Sequence, residues 1–269
     1  MLNEVQDRLG VIADEKYEVI RPFSCNIVRT AMDDELITEM QKVFQKYSNS
    51  IDISDDEDNS YALAGNMRRE FKITETTLGD KTSLLTNCLA DIASQLYASS
   101  VLVEWRFKKG ILTPKHIELV DRQLQNMNIT VNIQHVWGNI SVAGDFNPPH
   151  THSGTVSGVG YFKLPDDIER EWLLEDHDPS AGLINFWDGR SASMSLAQFK
   201  VKPRVGDLYC FPAWLNHSVG PFRSKGERWS FSYNCEVVNL NNDLHLSDFD
   251  KAELKAERRK LLKEMENAG

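Results

Sequence analysis

The sequence predicts a mainly β protein with helical additions: a jelly-roll or cupin-like core, an α+β layer before it and a helix after it. Three observations carry this. From about Asn128 onward, short apolar runs recur between Gly, Pro and Asn: "NITVNIQHVWGNIS", "TVSGVGYFKL", "GLINFW", "QFKVKP", "GDLYCFP" and "RWSFSYNCEVV". Many short strands at such spacing belong to all-β sandwiches and barrels. Two stretches in the first hundred residues have apolar positions at helical spacing, and the tail has a third. The expected division is 1–125 for the supporting region, 126–240 for the β core and 241–269 for the C-terminal helix.

In chain order, "KYEVIRPFSCNIVRTAM" is β-rich, and "DDELITEMQKVFQKY" follows as a helix with Asp33 and Asp34 as caps. Leu36, Ile37, Met40, Val43 and Phe44 share one face of it. The acidic run 52–60 reads as a solvated loop. The stretch "KTSLLTNCLADIASQLYASS" is a second helix that buries Leu85, Leu89, Ile92 and Leu96. In the tail, Ser247 and Asp250 fit a capping box. Leu254, Leu261, Leu262 and Met265 form a thin stripe, a candidate surface for packing on the domain or for a homodimer.

The totals exclude several classes. Lys and Arg number 30 against 40 Asp and Glu, for a net charge of −10 over 269 residues. Such a balance disfavours general binding to nucleic acid or an anionic membrane. No stretch reaches the roughly 18 apolar residues of a membrane span, and the N-terminus lacks a signal-peptide pattern. Cys25, Cys88, Cys210 and Cys235 form no CxxC and read as reduced thiols of a cytoplasmic protein. "SGVGYFK" lacks the third glycine of a dinucleotide loop, and there is no G-x-S-x-G elbow or P-loop.

Chemistry concentrates in the histidines. In "NPPHTHSG", a strand would put His150 and His152 on one face, because side chains i and i+2 point the same way. His217 lies at the turn of "FPAWLNHSVGPFRSKGERWSFSYN", and Arg228 opens the following strand. If these two strands are neighbours, Arg228 reaches into the barrel that His217 rims. Three imidazoles on one face of a metal leave open positions for small ligands, as in non-haem Fe(II) sites that activate oxygen. A guanidinium deeper in the barrel can clamp a carboxylate through its planar fork. The alternative is that two histidines bind and a carboxylate such as Asp145 or Asp188 completes the set.

The segments "NISVAGDFNPPHTH", "GDLYCFPAWLNHSVGP" and "GERWSFSYN" resemble the Fe(II)- and 2-oxoglutarate-dependent oxygenases. The kind most similar is that related to prolyl hydroxylases, met in marine bacteria and their phages. That pattern runs Y-x-x-G-x-x-Y-x-x-H-x-D, a distant His, then G-x-R or G-x-K. Gly144 stands six residues before His150 as the pattern asks, and Asn147 occupies the second Tyr position. His217, Gly226 and Arg228 match the distal His and the cosubstrate arm. The aspartate is His152 here, so an imidazole replaces a charge of −1, which bears on the cosubstrate more than on the metal.

The resemblance implies a double-stranded β-helix. It implies Fe(II) on His150, His152 and His217, 2-oxoglutarate anchored by Arg228, O₂ as oxidant, and hydroxylation of a peptide (prolyl) side chain or a small molecule. Succinate and CO₂ are released. Ser230 shares the face of Arg228, Tyr161 can donate its phenol to the cosubstrate, and Asn139 faces the same cavity. Two rivals remain at this stage: a three-His iron oxygenase that uses no 2-oxoglutarate, and a cupin-like metal-binding module without turnover. Trp137, Trp187 and Trp214 flank the expected mouth. Asp188 and Arg190 of "FWDGR" read as a structural pair, His135 as a core or supporting residue, and His177 as solvent-facing.

Overall fold

The computed structural model describes residues 16–20, 25–60, 65–109, 128–174, 180–188 and 197–239, with helical residues between 252 and 264. His177, Arg190, Ser247, Asp250 and the apolar stripe Leu254, Leu261, Leu262 and Met265 lie outside the described residues. Contacts divide the chain into two units. The larger comprises 1–99 and 131–237, and the smaller 100–130 and 238–269. No helix among the described residues is long and apolar enough to cross a membrane.

The larger unit is built on two antiparallel sheets. Its strands are β1 (Glu18–Ile20), β2 (Ile27–Ala31), β3 (Arg69–Lys72), β4 (Ile129–Ser141), β5 (Asn147–His150) and β6 (Val156–Lys163). β7 (Ile184–Trp187), β8 (Gln198–Val201), β9 (Asp207–Pro212), β10 (Asn216–Val219) and β11 (Arg228–Asn239) follow. The seven-stranded sheet runs β1-β2-β9-β6-β11-β4-β3, and the four-stranded sheet runs β5-β10-β7-β8. The N-terminal strands thus extend both edges of the larger sheet.

Helix α1 (Asp34–Asn49) buries Leu36, Met40, Phe44 and Tyr47, while Ile37 and Val43 are half-buried. Asp33 holds the N-cap position, but neither acid caps through its side chain. Phe44 packs on Phe71 (5.0 Å between centroids), Phe162 (5.5 Å) and Trp229 (5.8 Å), so α1 covers one face of the larger sheet. Each fully buried ring of this kind contributes about 1.5–3 kcal/mol. Helix α2 (Thr82–Lys109) buries Leu85, Leu89, Ile92 and Leu96 as its spacing requires. The run 52–60 is largely exposed, and Glu57 within it accepts the Tyr47 hydroxyl at 2.7 Å.

The opposite face of the larger sheet meets the smaller one. Ile27, Val159, Tyr161, Tyr209 and Phe211 form one apolar cluster with Ile184, Phe186 and Val201. The two glycines of "SGVGYFK" alternate with Val159 and Tyr161 and so serve the other face, the one α1 covers. A methyl group on Gly158 would run into the Tyr209 carbonyl and the Tyr233 ring, and one on Gly160 into the Phe231 ring. They make room for aromatics of the adjoining strand rather than for a phosphate.

Two expectations about the strands need correction. His217 is within strand β10 and not at a turn. β10 and β11 are not neighbours either: β10 pairs with β5 and β7, and β11 belongs to the other sheet. Arg228 therefore reaches the site from the facing sheet. Strands β3, β5 and β10 lack a sequence signal. β5 holds Pro148 and Pro149, which a strand tolerates at an edge, where an N–H facing outward is not needed; β5 is such an edge.

Candidate active site

His150 and His217 stand directly opposite each other on β5 and β10. Opposed residues of an antiparallel pair project to the same side, and their ring centroids are 4.3 Å apart. His152 lies two residues past the strand, where its backbone N–H donates to the Ala213 carbonyl at 2.9 Å. A turn with Gly154 at φ 93° follows, a conformation that favours glycine. The His152 ring is 4.8 Å from that of His150 and 5.0 Å from that of His217. The possible ligand nitrogens of all three lie within 4.8 Å of one another.

Local carbonyls orient two of the rings. His150 Nδ1 lies 2.8 Å from the Pro148 carbonyl and His217 Nδ1 lies 2.9 Å from that of Leu215. A carbonyl only accepts, so each Nδ1 carries the proton and each Nε2 keeps its lone pair, the tautomer a metal requires. Burial pushes the His217 pKa down to about 3 and the His152 pKa down to about 4, with the neighbouring His150 adding to both effects. His150 is also lowered, chiefly by burial. All three are neutral at pH 7. His152 is held differently, with its ring 5.7 Å from that of Trp137.

Neither candidate carboxylate joins them. Asp145 is buried, but its Oδ2 accepts the backbone N–H groups of Arg68 (2.7 Å) and Val142 (2.9 Å). Asp188 is half-buried and does not line the cleft. Among the described residues the cluster is three imidazoles, where the family pattern has His-x-Asp.

Arg228 faces this cluster from the larger sheet. It is 3% exposed. Its terminal nitrogens donate to the Gly182 carbonyl (3.1 Å) and Ser141 Oγ (3.2 Å), while Nε has no partner. No carboxylate pairs with it among the described residues. Burial lowers its pKa against the pull of Tyr161 and Asp145. A buried charge with no counter-ion costs several kcal/mol, a cost that an anion entering the cleft would offset. Tyr161 lies beside it on β6, opposite Ser230 of β11. Its buried hydroxyl has no partner, and burial raises its pKa to about 12, which keeps it a donor.

Between the sheets lies a cleft whose space, with the adjoining open solvent counted in, is about 480 Å³. His150, His152, His217, Tyr161, Arg228 and Ser230 all line it, and so does Asn139, whose Nδ2 donates to Ser232 Oγ at 3.2 Å. Trp137 is in the wall; Trp187 and Trp214 are not. His135 is exposed on β4, which corrects its expected core position. Sequence reading missed Ser141, Met67 and Asn147. Alternation along β4 from Asn139 signals Ser141, and Asn147 was marked by pattern position alone. Met67 had no signal, because it enters from a segment that the Asn66–Phe146 bridge ties to the residue just before β5.

Residues 135–234 match the family model described as "Putative 2OG-Fe(II) oxygenase". The match contains the three histidines and Arg228. Among solved structures, a Pseudomonas putida prolyl-4-hydroxylase is similar at 13% identity and TM-score 0.42, over 78% of this chain and 92% of that one. A viral collagen prolyl hydroxylase from Paramecium Bursaria Chlorella virus-1 gives 12% and 0.40, over 81% and 94%. A prolyl hydroxylase from Trichoplax adhaerens gives 14% and 0.44, over 86% and 88%. No curated protein matches the chain.

Proposed function

On the premise that this chain carries the 2OG-Fe(II) oxygenase segment, we propose that it is an Fe(II)- and 2-oxoglutarate-dependent dioxygenase. It hydroxylates its substrate and releases succinate and CO₂. One observation carries the reading: three neutral imidazoles and an unpaired buried guanidinium face each other across a single cleft.

The residues fit both groups. His150, His152 and His217 offer nitrogen ligands suited to a divalent transition metal, two with their lone pairs already turned outward. Arg228 Nε and the Tyr161 hydroxyl are buried donors that a carboxylate would satisfy together, with Ser230 alongside. When bound, the metal with 2-oxoglutarate and O₂ supplies the oxidising power for attack on an unactivated C–H bond. The chain's own part is to hold the cosubstrate by its far carboxylate, turn its other end toward the imidazoles, and exclude bulk water with the apolar wall of Val159, Ile184 and Phe211. His152 brings no charge, so a metal here keeps its full +2 against an anionic cosubstrate.

The test is an anaerobic titration with Fe(II) and then 2-oxoglutarate, followed by visible absorbance. The expected result is a weak charge-transfer band that needs both additions and disappears in Arg228→Ala. Iron binding with no band, and no succinate once oxygen is admitted, would sink the 2-oxoglutarate reading. A three-His oxygenase of another kind would then stand in its place.

A further inference from the structure

We propose that the cleft, along the edge formed by β3 and β4, takes a substrate bearing a cationic nitrogen, an ammonium or guanidinium, held by the Glu70 carboxylate and the side-chain oxygens of Asn139 and Asn147 beside Trp137. The inference rests on the oxygenase reading only in calling this ligand the substrate.

Strand register places the group. Glu70 is paired with Asn139, and Lys72 with Trp137, across the β3–β4 ladder. Paired residues share a face, and Asn139 and Trp137 line the cleft. Phe71 points the other way, onto Phe44 and Tyr47 of α1. Glu70 thus stands on the cleft side of the sheet's edge strand, 5% exposed, beside Asn139 of the cleft wall though not itself in that wall. Its carboxylate receives Asn59 Nδ2 at 3.2 Å and has no ion pair among the described residues. Lys72, two residues along, donates its ammonium to the Asp56 carbonyl at 3.0 Å.

The neighbouring polar atoms are acceptors as well. Asn139 uses its amide nitrogen on Ser232, and its Oδ1 is buried without a partner. Asn147 Oδ1 is in the same condition. Buried acceptors left open call for N–H donors from the ligand. A carboxylate beside them favours a charged donor over a neutral one, and an indole attracts cations through its ring face. Arg228, on β11 across β4 from Glu70, repels such a group. The cleft is therefore polarised along the larger sheet, with an anion site at β11 and a cation site at the β3–β4 edge.

The test uses the full-length chain loaded with Zn(II) and 2-oxoglutarate, which cannot turn over. Binding of butylammonium, N-butylacetamide and butyrate is measured by ligand-observed NMR. Butylammonium is expected to bind at least about tenfold tighter than the other two. Glu70→Gln should remove that preference while leaving 2-oxoglutarate affinity unchanged. Equal binding of the three probes overturns the proposal, as does a preference that survives Glu70→Gln. Failure of 2-oxoglutarate to bind the wild-type chain would count against the oxygenase reading instead. The probe ranking on the zinc-loaded protein would still decide this one.

Discussion

The two sheets contribute different chemistry to one cleft. The smaller carries His150 and His217 on four-residue strands, with His152 just beyond, and its edge strand contains two prolines. The larger carries Asn139, Tyr161, Arg228 and Ser230 on strands of 8 to 13 residues, covered on the far side by α1. The candidate metal ligands sit where the backbone is short and irregular, and the candidate anion clamp sits where it is regular and buried. The physical sense is clear. Three imidazoles must converge from different directions, which bends and edges provide. A buried guanidinium needs rigid surroundings to hold its cost of burial. This division also means that changes on one sheet should affect one function and spare the other.

The largest effect should come from breaking the smaller sheet's cluster. His217→Ala should lower Fe(II) or Zn(II) affinity by more than about 100-fold, since loss of an outer partner alone costs about 10–100-fold. Calorimetric titration measures it, and 2-oxoglutarate contacts on the other sheet should survive. Arg228→Ala makes the opposite cut. It should weaken 2-oxoglutarate by about 100-fold or more, as for one partner of a buried charge pair, with metal affinity kept within about threefold. Loss of metal affinity in the Arg228 variant would refute the division.

His152 sharpens the comparison. It is the ligand candidate without a carbonyl on Nδ1, so His152→Ala should cost less metal affinity than His217→Ala. His152→Asp should retain the metal, because it returns a carboxylate to the position where the family pattern has one. Equal losses for all three histidines would show that the carbonyl locks on His150 and His217 contribute nothing.

Smaller effects test the larger sheet alone. Gly158→Ala should destabilise the fold by about 1–3 kcal/mol through overpacking against Tyr233, read as a lowered denaturant midpoint. Glu70 gives a pH signature. Burial raises its pKa from 4.5 to about 7. Between those values the unfolded chain ionises before the folded one, so the wild type loses stability as pH rises toward 7. Glu70→Gln removes that loss. Its melting temperature should exceed the wild type's at pH 8 and match it near pH 4, below both values; a gain independent of pH would point to packing instead.

Much of this was legible in the residues. The strands β4, β6, β7, β8, β9 and β11 announce themselves by apolar runs between turn residues. The two N-terminal helices announce themselves by spacing, down to Leu85, Leu89, Ile92 and Leu96. β5 and β10 were not legible, because Pro148 and Pro149 argue against a strand and Asn216–Val219 is too short to show alternation. Met67 and Glu70 were equally hidden, one in a connecting segment and the other on a four-residue strand.

The sequence by itself determined the chemical inventory: three histidines and an arginine in an order and spacing that name a metal and an anion, with His152 where an acid is usual. Local forces suffice for that, since side-chain identity, turn glycines and carbonyls two residues away act within a few positions. Only the tertiary structure decided that β10 and β11 belong to different sheets, that Asp145 is occupied by backbone amides, and that Glu70 stands beside Asn139. Those facts depend on strand pairing between residues far apart in the chain. A register shift of one residue would turn each of these side chains to the other face.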